Sequence, residues 1–139
     1  MNDSSIIDSL KKVIGGENIS AAKFKNNDLE LEINKNKIRE AASFFKQRGY
    51  THLITIVPVE EPGYIQLLYY LEKYGSLAVL KIKIPCDDLN ADSLTDIFPA
   101  AENFEREARD FFGLNFKGLT SSRIILPDNW PDKPLMRKT

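Results

Sequence analysis

Apolar residues recur with helical spacing at Ile6, Ile7, Leu10, Val13 and Ile14, with Asp3, Ser4 and Ser5 ahead of them as capping residues and Gly15-Gly16 behind as a stop. A short amphipathic helix is predicted there. Residues 18–25 read as a strand, Asn26-Asn27-Asp28 supplies turn chemistry, and Leu29, Leu31 and Ile33 then alternate with Glu30, Glu32 and Asn34. This pattern predicts a hairpin whose second strand is half exposed. In residues 36–48, Ile38, Ala41, Ala42 and Phe45 share one helical face and Gly49 stands where a C-terminal cap belongs, which predicts a second helix.

Residues 52–59, 64–74 and 77–84 are β-like segments separated by Glu60-Glu61-Pro62-Gly63 and by Gly75-Ser76, and short turns of this kind favour an antiparallel meander. Periodicity alone leaves residues 64–71 open to a helical reading. Abundant aromatic residues and turn-like flanks favour a strand. From Pro85 the chain becomes polar, with Asp87, Asp88, Asn90, Asp92 and Ser93 forming a connector. Residues 100–113 return to helical spacing through Ala101, Phe104, Ala108 and Phe111. Glu102 and Arg106, Glu105 and Arg109, and Arg106 and Asp110 stand four apart, so three intrahelical ion pairs on a solvated surface are expected. The order α-β-β-α-β-β-β-α predicts an α+β fold, with helices on one face of a small mixed or antiparallel sheet.

The last thirteen residues contain three prolines, Pro127, Pro131 and Pro134, which oppose a regular helix or a central strand. Residues 117–139 carry five basic and two acidic side chains. The division expected is a single α+β domain over residues 1–116 and an extended, irregular partner-binding tail over residues 117–139, suited to an acidic groove.

Composition narrows the chemistry. The chain has 139 residues, 42% hydrophobic and 28% charged, and nineteen Lys and Arg against twenty Asp and Glu, a formal charge of -1. One domain is expected, with no global field to hold nucleic acid or an anionic membrane. No apolar run approaches the roughly 20 residues that cross a bilayer, and the polar start lacks a secretory pattern, so a cytoplasmic protein is expected. The lone Cys86 and lone His52 cannot supply a zinc, haem or iron–sulfur ligand set. Cys86 is read as a small strand-end residue, and His52, which opens a strand, as structural or solvated. A hydrolase built on Glu105 or Glu107 with Asp110 and His52 is a weak alternative, because no activated nucleophile is visible. A stand-alone binding module with a basic tail is another.

The stretch from Ser93 through Phe98-Pro99 and Glu105-Arg106-Glu107 to Phe112-Gly113 and Gly118, followed by Arg123-Ile-Ile-Leu-Pro-Asp-Asn-Trp130 and Pro134-Leu-Met-Arg-Lys138, resembles the 30 kDa subunit family of respiratory complex I. That family includes the equivalent small subunit of membrane-bound energy-converting [NiFe] hydrogenases and of archaeal complex I relatives. Leu119-Thr120-Ser121-Ser122-Arg123 replaces the family's His-Pro loop, and Asp132-Lys133 replaces its Gly-His or Gly-Tyr. These departures fit a hydrogenase-like or archaeal branch.

The resemblance implies a non-catalytic subunit with no cofactor of its own, packed against a large catalytic subunit (49 kDa-type or hydrogenase large subunit) and an iron–sulfur subunit. It would lie on the cytoplasmic face of the membrane and meet the membrane only through the complex. Iron–sulfur clusters, and [NiFe] in the hydrogenase branch, would reside in those partners, where electron transfer is coupled to ion pumping. By the same resemblance, Glu105, Arg106, Glu107 and Asp110 would fix the helix against its partner and the following loop. Phe112, Leu126, Pro127 and Trp130 would be apolar anchors. Phe104, Gly113, Arg123, Pro134, Leu135 and Arg137 complete the implied interface.

Overall fold

Every second residue of a buried strand faces the core, and three central strands share that rhythm. The computed structural model describes residues 3–119. In β4 (Tyr64–Lys73) the buried positions are Ile65, Leu67, Tyr69 and Leu71; in β5 (Ser76–Pro85) they are Ala78, Leu80, Ile82 and Ile84; in β2 (Asp28–Ile33) they are Leu29, Leu31 and Ile33. With β1 (Ile19–Lys25) and β3 (His52–Glu61) they form one five-stranded sheet in the order β1-β2-β5-β4-β3. Residues 64–71 are therefore strand. The β2–β5 pair is parallel, with Leu31 opposite Leu80, while the β1–β2, β3–β4 and β4–β5 pairs are antiparallel. Pro58 lies in the edge strand β3, where a missing N–H is tolerated.

Helices cover the inner face. α1 (Asp3–Ile14) contributes Ile7, Leu10 and Ile14, and α2 (Ile38–Gln47) contributes Ile38, Ala41, Ala42, Phe44 and Phe45. Phe45 meets Phe44 and Tyr50 edge-on, at centroid separations of 5.2 and 5.4 Å. α3 (Ala101–Phe112) packs on the β3 side of the sheet. On the opposite face Lys83 pairs with Glu32 at 3.0 Å and Lys81 pairs with Glu30, so charges of opposite sign line the β2–β5 seam. The fold is α+β with a mixed sheet.

Two features depart from sequence expectation. β3 continues to Glu61 rather than ending at residue 59. The polar connector also contains β6 (Asn90–Asp92), which pairs in parallel with β7 (Asn115–Lys117) as a separate two-stranded sheet. Each has three residues and one buried apolar side chain, Ala91 or Phe116, too little for periodicity to register, and Asn and Asp have low strand propensity.

Candidate functional site

The family-like segment begins on the connector, runs through α3 and leaves by β7. Basic side chains of α2 and the turn before it hold the connector. Lys35 Nζ donates to the Asn90 carbonyl at 2.9 Å and pairs with Asp88 at 3.2 Å, and Lys46 Nζ donates to the Ile97 carbonyl. Arg39 grips Asp96 with both terminal nitrogens, at 2.7 and 2.5 Å, and also donates to the Ser93 carbonyl at 2.7 Å. The shared hydrogen bonds raise the Arg39 pKa and lower that of Asp96.

α3 buries Ala101 and Ala108, as its apolar spacing predicts, together with two acidic residues that the spacing does not mark. Ala101, Glu105 and Ala108 form the buried stripe, while Phe104 is half-buried. Glu105 is 0% exposed; its Oε1 accepts from the Ser93 hydroxyl at 2.6 Å and its Oε2 from the Leu94 N–H at 2.7 Å. Burial raises its pKa, opposed by these two hydrogen bonds. Tyr69, on β4 and also fully buried, has a hydroxyl without a hydrogen-bond partner among the described residues, and burial followed by the Glu105 and Asp92 charges pushes its pKa up.

Of the ion pairs expected on α3, Glu102–Arg106 forms at 2.8 Å. Glu105 faces Ser93 rather than Arg109, and Arg109 Nε instead meets the buried Asp110 at 3.1 Å. The solvated helix expected from composition is thus half correct: Glu107 is exposed, but Glu105 and Asp110 lie inside. The side chains Phe104 and Phe112 pack partly buried against the core. Gly113 caps α3 at φ 77°, a left-handed conformation that favours glycine, and its N–H donates to the Arg109 carbonyl at 3.0 Å.

Arg123, Leu126, Pro127, Trp130, Pro134, Leu135 and Arg137 lie outside the described residues. The hydrolase cluster is not assembled, because His52 pairs with Glu72 at 3.0 Å, Glu105 faces Ser93 and Glu107 is exposed. Among the described residues, no group of three or more His, Cys, Asp and Glu could hold a metal ion, and no helix is long and apolar enough to cross a membrane. Sequence reasoning missed Arg39, Asp96 and the hydroxyl of Ser93. The available signal was Ser93-Leu94-Thr95, where a hydroxyl two residues before another can close a local turn.

The sequence model of the family described as respiratory-chain NADH dehydrogenase, 30 Kd subunit, matches residues 31–139. The chain belongs to that family. Among relatives of this chain, the NADH-quinone oxidoreductase C subunit of Roseiflexus sp. is similar along the whole length, at 24% identity over 99% of this chain and 83% of the relative. The corresponding C subunit of Moorella thermoacetica is 33% identical over 66% of each. The fused C/D polypeptide of the Acinetobacter baumannii NADH-quinone oxidoreductase is 27% identical over 96% of this chain, which spans only 25% of that longer polypeptide. Among solved structures, a chain of the membrane-bound sulfane sulfur reductase, an archaeal respiratory membrane complex, superposes with a TM-score of 0.77 at 29% identity, covering 91% of this chain and 78% of that one. A trypsin-resistant fragment of Nqo5 shares the fold, with a TM-score of 0.71 at 19% identity over 88% of this chain and all (100%) of the fragment.

Proposed function

We propose that this chain is the non-catalytic small subunit that joins a large catalytic subunit to an iron–sulfur subunit on the cytoplasmic side of a complex I-like membrane complex. The family match through residue 139, which takes in α3 and the C-terminal segment, carries this reading. The fused C/D relative supports the large subunit as partner, since one polypeptide holds its two parts at high effective concentration. Iron–sulfur clusters, and [NiFe] in a hydrogenase-type complex, belong to those partners, as does the electron transfer that drives ion pumping. Of the implied interface side chains within the described residues, Glu107 and the partly exposed Phe104, Arg106 and Phe112 are open to a neighbour, while the segment from Arg123 to Arg137 supplies the other anchors.

Co-expression with the large and iron–sulfur subunits should yield one ternary species without redox turnover by this chain alone. Elution as a single chain with both partners present, or turnover by the isolated chain, overturns the proposal.

The archaeal neighbour favours a second reading of the acceptor. At 29% identity over 91% of the chain, it makes a sulfane-sulfur-type complex an alternative to the quinone-type complexes of the C-subunit relatives. Purified complex assayed with a quinone, a polysulfide and protons as acceptors separates these.

A further inference from the structure

Ser93 spends each of its polar groups on a different element. Its N–H donates to the Lys117 carbonyl of β7 at 2.8 Å, its carbonyl accepts from Arg39 of α2 at 2.7 Å, and its hydroxyl donates to Glu105 of α3 at 2.6 Å. The Thr95 N–H reaches the same hydroxyl oxygen at 3.2 Å, and Ser93 is only 2% exposed. The β6–β7 ladder that this residue borders is three residues long on each side, and so short a pair is marginal without support. Its other end is closed by the Asn115 N–H on the Leu89 carbonyl at 2.8 Å. Directly after β7 the backbone turns at Gly118, φ 97°, and the Leu119 N–H closes back on the Phe116 carbonyl at 3.1 Å.

We infer that Glu105 is a positioning residue that, through Ser93 and Leu94, pins β6 against β7 and so fixes the turn at Gly118 that follows. Glu105 is thereby assigned to the interior latch rather than to the partner contact implied by the family resemblance. The carboxylate is suited to this task because it has two acceptor oxygens, one for a hydroxyl and one for a backbone N–H, and no water competes for either at full burial. Removing it leaves the Leu94 N–H without an acceptor inside the protein, and the smallest way to relieve that is to open the connector.

The consequence for partner binding rests on the proposed function, whereas the latch itself is a property of the isolated chain. Hydrogen exchange on the full chain separates the two. In Glu105→Ala the amides of Ser93, Leu94 and Asn115 should exchange about tenfold faster or more, while those of β4 and β5 change less than about twofold. Glu105→Gln should restore most of the protection, because its amide oxygen still accepts from Leu94 and its NH2 group can donate to the Ser93 hydroxyl oxygen. If Glu105→Ala does not fold, Ser93→Ala is read in the same way. Equal acceleration in every strand, or none, overturns the latch. In co-expression with the large subunit, Glu105→Ala should lower recovery of the complex and Glu105→Gln should not. Faster exchange with undiminished recovery overturns the link to partner presentation. Failure of the wild-type chain to assemble overturns the proposed function and leaves the exchange result intact.

Discussion

A carboxyl group that loses its water is easier to protonate, and this gives Glu105 a sign opposite to that of most surface acids. Its pKa is raised in the folded chain from an ordinary value of 4.5, so the folded state holds the proton longer than the unfolded one. Stability drawn from this residue is greatest below the ordinary Glu pKa and declines as pH rises through that value to the folded one. Asp96, lowered by Arg39, works the other way: its contribution is present above the ordinary Asp value and lost as pH falls through the folded one, though exposure screens it. Wild type and Glu105→Gln should therefore be compared by urea unfolding between about pH 4 and pH 8, with the variant gaining on the wild type as pH rises. A difference independent of pH would show that Glu105 titrates as it does in the unfolded chain. Glu105→Ala should lose about 2–3 kcal/mol at neutral pH, the typical worth of hydrogen bonds to a charged acceptor.

α3 shows how far an element can be read before its surroundings are known. Its ends and length follow from spacing and from Gly113, and the observed helix, Ala101–Phe112, differs from residues 100–113 only at the caps. Its rotation follows only in part: Ala101 and Ala108 are buried as the spacing predicts, but Phe104 is half-buried, and hydrophobic spacing has no means of marking a glutamate as buried. The reason is physical: Glu105 is tolerated in the core only because Ser93 and Leu94, twelve and eleven positions earlier, bring donors to it. β6 and β7 were illegible for a related reason, each being stabilised by what lies beside it rather than by its own pattern. The cap can be tested directly. Gly113→Ala places a Cβ at φ 77° and should cost about 1 kcal/mol, read as a fall of a few degrees in Tm.

Across the whole molecule, the short turns predicted a hairpin and an antiparallel meander, both found, and left open how the two join, because a half-buried strand specifies a face and not a neighbour. The C-terminal anchors were read through family resemblance, and Trp130 is the one to truncate. Set between Pro127 and Pro131, a large ring of this kind typically contributes 2 kcal/mol or more to an interface. Trp130→Ala should weaken binding of the large subunit roughly thirtyfold, measured by titration, with a much smaller change in the melt of the isolated chain. A large fall in Tm with binding retained would place the ring in the core of this chain instead. The parallel β2–β5 seam also has a kinetic meaning. β1 and β2 can zip locally, as can β3, β4 and β5, but Leu31 cannot reach Leu80 until the intervening residues, α2 among them, close as one loop. Loop closure of that kind sets the barrier in folds rich in distant contacts. Leu80→Ala should therefore slow refolding far more than Ala21→Gly on the outer hairpin strand, giving the higher φ-value in a chevron comparison. The rate at which this protein first becomes available to a partner is then governed by the meeting of two preformed antiparallel units.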